Sequence, residues 1–148
     1  MRPILVSACL LGLLTRFDGA SKRHEPALQF IREQGLVPIP VCPEQLAGLP
    51  TPRPSTRFAC GDGAAVLDGT GKVMNAEGDI VNETFLHGAV ETMKIARLAG
   101  CTQALLKERS PSCGVHQVYL EDQVVAGQGV TAALLTRNGL QVFSEEDI

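Results

Sequence analysis

Residues 3–12 read PILVSACLLG, and the first six of them decide the fold. PILVSA is a continuous apolar run, rich in branched side chains and closing on small ones, the pattern of a strand covered on both faces. Such a strand belongs in a parallel sheet with helices on either side. The run superficially resembles the apolar part of a secretory leader. It continues into LLGLLTRFDG without a cleavage-type boundary, so the expectation is a buried first strand in a cytoplasmic protein.

The segments that follow alternate in period. RHEPALQFIREQG (23–35) predicts a helix, with Pro26 tolerated in its first turn and Gly35 at its C-terminal end. LVPIPVC (36–42) predicts a second strand. Four prolines between Pro43 and Arg57 then argue against both helix and central strand. AAVLDGTGKVMN (64–75) predicts a β-hairpin about Asp68-Gly69. Residues 82–99 carry the strongest helical pattern, with Phe85, Ala89, Met93 and Ala96 on one stripe and Leu86 and Val90 beside it. Asn82 is the expected N-cap and Gly100 the stop. TQALLKE (102–108) predicts a strand, QVYL and QVVA two short extended pieces, GVTAALLTRNG (129–139) a helix and LQVFSE (140–145) a last strand. This alternation predicts one three-layer α/β domain over 1–148, with a mostly parallel, Rossmann-like sheet and a small β-hairpin insertion.

With 45% apolar and 20% charged residues over 148 positions, the chain has the composition of an ordinary globular domain. A net charge of −3 without any run of Lys or Arg disfavours nucleic acid as a partner. No apolar run approaches the roughly eighteen residues a membrane span needs.

The five cysteines, at 9, 42, 60, 101 and 113, contain no C-x-x-C pair, which speaks for free thiols or ligands drawn from distant loops. In an open α/β sheet, ligands bind beyond the carboxyl ends of the strands. Cys9 and Cys42 close the first two predicted strands, and Cys113 follows QALLK by six residues. If those strands are parallel, the three thiols gather at one edge, a donor set suited to a soft metal or an iron-sulfur cluster. Three protein ligands leave one position open for water or substrate. His24, His87 and His116 are possible fourth ligands, and Cys60 could approach the same edge. Cys101, after the helix stop, reads as a small buried hydrophobe.

Glu44 lies two residues beyond Cys42, near enough to move protons at a bound ligand. Ser110 and Ser112 flank Pro111, whose fixed φ stiffens the turn before Cys113. Lys107, Arg16 and Arg53 lie in loops attached to these segments, where positive charge would lower thiol pKa values. GQGVTA (127–132) fits a glycine-rich helix entry whose free N–H groups could hold a small anion, but too little chain follows it for a dinucleotide half. GDGAAV reads as a turn ahead of the hairpin.

The ordered set ILVSACLLG, TRFDG, PVCPEQLAGLPTPRP, GDG, FLHGA, LLKERSPSCG, GQGVTAALL and GLQVFSEE resembles the bacterial 2-thiouracil desulfurase family across essentially the whole chain. The resemblance implies a [4Fe-4S] cluster held by Cys9, Cys42 and Cys113, its fourth iron open to substrate sulfur. It also implies catalytic roles for Glu44 and Ser110. Where many relatives carry a further cysteine ahead of an R-Y-D-G segment, this chain has Thr15. The implied reaction is a non-redox exchange of thiocarbonyl for carbonyl, releasing sulfide from thiolated pyrimidines such as 2-thiouracil or thiouridines. A non-catalytic carrier of iron-sulfur, metal or sulfur is the alternative. The partner expected in the first case is a small thiolated base or nucleoside.

Overall fold

The computed structural model describes residues 2–148; Met1, the first residue of the expected domain, lies outside the described residues. The apolar run at the start forms β1 (Arg2–Ser7), which breaks into a 3₁₀ turn over Ala8–Leu11. Gly12 ends that turn with φ +97°, a conformation that costs glycine nothing. α1 (Glu25–Glu33) carries Pro26 at its start, and Gly35 follows it at φ +64°. β2 (Leu36–Val41) lies parallel to β1 along its whole length, Arg2 beside Leu36 and Ser7 beside Val41. β5 (Gln103–Leu106) lies parallel on the other side of β1, and β8 (Gln141–Ser144) runs parallel to β5.

The resulting order, β2-β1-β5-β8, puts β1 at the point where the chain's direction of travel across the sheet reverses. Alternation along β1 serves two faces. Ile4 and Val6 pack with Leu105 against Ala27 and Ile31 of α1. Leu5 points the other way, joining Ala104 and Leu106 against Met93 and Ala96 of α4 (Asn82–Ala99) and Ala132 and Leu135 of α5 (Val130–Arg137). Burial of each such side chain contributes about 1.5–3 kcal/mol, which is why the strand is apolar from Ile4 to Val6, and the buried Ser7 that closes it has a partner in the Lys107 amide at 2.9 Å.

A second sheet, β4-β3-β6-β7, is built from β3 (Thr56–Cys60), β4 (Lys72–Asn75), β6 (Gln117–Leu120) and β7 (Gln123–Ala126). Its Phe58, Val73 and Val118 pack on Phe85 and Ala89 of α4 and Val130 of α5, so these helices are covered by both sheets.

The hairpin expected over 64–75 does not form there. Asp62 accepts a hydrogen bond from the Ala65 amide at 3.1 Å and caps α3 (Gly63–Leu67), a single helical turn that Asp68-Gly69 ends. GDGAAV is thus a capped helix start, and β4 pairs with β3, antiparallel. The antiparallel hairpin of this chain is β6–β7, with Glu121 at φ +54° in its two-residue turn. Pro43, read as a breaker, occupies the first position of α2 (Pro43–Leu46), where its missing N–H is harmless. The segment after it holds β3 as well, so the exclusion of regular structure across 43–57 is corrected at both ends. Asn82 does not cap α4: Val81 occupies the N-cap position with no side-chain capping bond, and the Asn82 side chain bridges the Val73 amide and the Gly71 carbonyl. Gly100, at φ +74°, stops α4 as expected. No helix among the described residues is long and apolar enough to cross a membrane.

Candidate functional site

Because Ser7 stands beside Val41, the chain leaves β1 and β2 at one edge of the parallel sheet, and β5 ends at that edge too. A cleft of about 590 Å³ opens there. Cys9, Cys42 and Cys113 all line it, together with Glu44 and Ser110. Each arrives by a different device. Cys9 sits in the 3₁₀ turn after β1. Cys42 is the N-cap of α2, so Glu44 falls in that helix's first turn. Gly88 of α4 lets this turn dock closely, because a Cβ there would run into the Pro43 carbonyl.

The Cys113 loop is held from both sides. Its amides converge on two acceptors. Oε1 of the buried Glu108 accepts from Val115 at 2.8 Å, His116 at 2.9 Å, Gln117 at 3.0 Å and Arg109 at 3.3 Å. Ser110 Oγ accepts from the amides of Ser112 at 3.2 Å and Cys113 at 3.1 Å. Its carbonyls are taken by the start of α5: Val130 N–H donates to Pro111 O, Thr131 and Ala132 N–H to Ser112 O, and Gly129 N–H to Gly114 O. Gly129 must be glycine for this approach, since a Cβ would lie 2.7 Å from the Cys113 amide nitrogen. GQGVTA therefore clamps the loop, and its N–H groups are not free for an anion as the sequence suggested. Beside it lies an ionic pair between the half-buried Lys107 and the buried Glu145, Nζ to Oε2 at 3.0 Å, with Glu145 Oε1 accepting from the Glu108 amide at 2.7 Å.

Glu44 is held by two donors, Arg53 Nε at 3.2 Å on one oxygen and Ser112 Oγ at 3.4 Å on the other. Ser112, whose role the sequence left open, is thus the serine that reaches the carboxylate, while the Ser110 hydroxyl braces the loop. A carboxylate offers about four acceptor positions, so two donors leave it capacity toward the cleft.

The thiols lie in one another's field. Burial above all pushes the Cys9 thiol up to about 11; Lys107 and Arg16 pull it down, and Cys42 and Glu145 push it further up. Cations do act on this thiol as expected, but desolvation outweighs them. Cys113 is raised first by burial, then eased by a hydrogen bond with Ser7, and raised again by Cys9, Cys42 and Glu44. Burial thus disfavours the thiolates of Cys9 and Cys113 unless a cationic centre neutralises them, and all three side chains offer soft sulfur. No three His, Cys, Asp or Glu side chains among the described residues converge tightly enough for one metal ion. A cluster, which spreads its thiolates over separate irons, makes no such demand, and the residues present fit it.

Other expectations resolve differently. Cys60 is exposed at the end of β3, its thiol 3.5 Å from Thr70 O, and is not part of the cleft lining. Cys101 is buried among Leu5, Met93 and Leu140, as a small hydrophobe. None of the three histidines lines the cleft, and His116 turns away to Asp147 at 2.9 Å. Lys107, Arg16 and Arg53 do line it. Glu108 went unrecognised in the sequence, because nothing local marks a carboxylate that will collect amides up to nine residues away.

Comparisons with known proteins agree over the whole length. The sequence model described as 2-thiouracil desulfurase matches residues 4–147. The chain is 38% identical over 148 residues to the uncharacterized protein YbbK of Bacillus subtilis (strain 168), covering 98% of this chain and 97% of that protein. Among solved structures, a [4Fe-4S]-dependent thiouracil desulfidase, TudS, is similar with a TM-score of 0.85 and 39% identity, covering 100% of this chain and 93% of that one.

Proposed function

Since the chain belongs to the 2-thiouracil desulfurase family, we propose that it is an enzyme removing sulfur from thiolated pyrimidines, free bases such as 2-thiouracil or thiouridines. In this reading the whole of 1–148 acts as one domain in the cytoplasm and depends on a [4Fe-4S] cluster held by Cys9, Cys42 and Cys113. The observation that carries it is the convergence of those three thiols with Glu44 on one cleft. The similarity to a [4Fe-4S]-dependent desulfidase at 39% identity supports the same cofactor.

The reaction is a hydrolysis: water supplies the oxygen of the new carbonyl, the carbon–sulfur double bond is lost, and sulfur departs as hydrogen sulfide. No oxidation state changes, so no reductant is required. A cluster held by Cys9, Cys42 and Cys113 would supply Lewis-acid polarisation of the thiocarbonyl. The protein's own groups do the rest. Glu44, fixed by Arg53 and Ser112, takes a proton from the attacking water and returns it to the leaving sulfur. Ser110, its oxygen engaged by two amides, retains a hydroxyl proton to direct at the substrate. The exposed rings of Phe17 and Tyr119 border the cleft and offer flat faces to a pyrimidine. The volume suits a base or nucleoside, since ligand pockets commonly span about 300–1,000 Å³.

Anaerobically reconstituted protein incubated with excess 2-thiouracil is expected to form uracil and sulfide in equal amounts over many turnovers, measured by chromatography and sulfide assay. Release that stops at one equivalent per chain would contradict an enzyme and favour a sulfur carrier.

A further inference from the structure

Arg53 belongs to the proline-rich loop, yet its side chain is only 3% exposed. All of its donors are used. Nε donates to Glu44 Oε1 at 3.2 Å; Nη1 donates to Thr51 Oγ1 at 2.8 Å and Pro50 O at 3.4 Å. Nη2 donates to Thr15 O at 2.8 Å and faces Cys42 Sγ at 3.7 Å. The Arg53 amide is itself tied to Phe17 O at 2.8 Å, so the loop is pinned at the residue that carries the guanidinium.

We infer that Arg53 is a positioning residue that locks Glu44 to Cys42, aiming the carboxylate and tuning the sulfur through one rigid plane. The inference rests on the proposed roles of those two residues. As a thiol, Cys42 donates to Thr15 O at 3.7 Å. Once the sulfur is bound to iron it has no proton to give, and Arg53 Nη2 is the donor that remains facing it. Hydrogen bonds to cluster sulfurs raise the reduction potential, and residues that orient metal ligands typically matter about 10–100-fold in metal affinity or activity. A lysine cannot substitute, because one ammonium on a flexible stem cannot hold a carboxylate, a carbonyl and a sulfur in fixed relation.

The test uses the reconstituted full chain, its Arg53→Met and Arg53→Lys variants, a spectroelectrochemical titration of the cluster and steady-state kinetics on 2-thiouracil. Arg53→Met is expected to shift the cluster potential to more negative values and lower kcat about 10–100-fold with KM little changed. Arg53→Lys, which keeps the charge, is expected to shift the potential the same way by a smaller amount and to leave kcat at least about tenfold down. An unmoved potential in Arg53→Lys overturns the inference whatever its kcat, and that variant decides alone if Arg53→Met does not fold. Wild-type protein that takes up no iron and sulfide overturns the cluster reading itself, an outcome distinct from variants that match a cluster-bearing wild type.

Discussion

Glu44→Gln is expected to lower kcat for 2-thiouracil by about 10²–10⁴-fold, the usual worth of a positioned general base, while the reconstituted protein keeps its full iron content. Glutamine has the same shape: its carbonyl oxygen can accept from Arg53 Nε, which now donates to one carboxylate oxygen at 3.2 Å, and its NH2 can donate to Ser112 Oγ, which now donates to the other at 3.4 Å. The fold around α2 therefore survives, and what is lost is the capacity to accept a proton. Iron analysis beside the rate assay separates two roles. Near-normal turnover would show that Glu44 is not the base; loss of iron with the rate would make it part of the cofactor's support.

Glu108→Ala is expected to destabilise the protein by about 3–5 kcal/mol, because several loop amides lose their acceptor at once and each buried donor left unpaired costs about 1–3 kcal/mol, read as a lowered denaturant midpoint at unchanged slope. Four amides of the Cys113 loop lose their acceptor, and Lys107 and Glu145 lose the backbone geometry that the loop preserves. Against a typical total of about 5–15 kcal/mol, that removes a large share of the stability. Glu108→Gln, keeping one oxygen, should cost about 1–2 kcal/mol less. The ionised form is the one that matters. Burial pushes the Glu108 carboxyl up, but its four backbone hydrogen bonds outweigh that and leave it below the usual value. A folded-state pKa below the unfolded one contributes stability that is complete above about pH 4.3 and lost as pH falls through the depressed value. The wild-type advantage over Glu108→Gln should therefore shrink on acidification below pH ~4. A difference that is independent of pH would show that Glu108 is not the charged template of the loop.

Much of the architecture was legible because its signals are local. PILVSA and QALL are continuous runs of mostly apolar residues, as a sheet with both faces covered requires, LVPIPV reads as a strand although it lies at the sheet edge with Pro38 and Pro40 exposed, and 82–99 repeats its apolar stripe up to a glycine at positive φ. The convergence of Cys9, Cys42 and Cys113 followed from one inference, that parallel strands end at a common edge. The second sheet was not legible as a sheet. Its strands are four or five residues long, come from distant segments, and only one face is buried, so Phe58 and Val73 give little period to read. Pro43 and Asp62 misled for one reason. Each starts a helix so short that its capping residue is most of its signal. Within the site, the sequence brought Ser110 and Ser112 forward together but could not divide their work. Which hydroxyl reaches Glu44 depends on the path of the loop, and Glu108 and the start of α5 set that path through hydrogen bonds no spacing rule encodes.

The central claim is that three of the five thiols share one cluster. Anaerobic reconstitution followed by iron and sulfide analysis, applied to the wild type and to each single Cys→Ser variant, tests it most directly. The account predicts roughly four irons and four sulfides per chain in the wild type, as the composition of a [4Fe-4S] centre demands. It predicts loss of that complement in Cys9→Ser, Cys42→Ser and Cys113→Ser, and its retention in Cys60→Ser and Cys101→Ser. A wild type that is free of iron yet turns over 2-thiouracil, or a cluster that survives the loss of Cys9, Cys42 or Cys113 but not of Cys60, would contradict it.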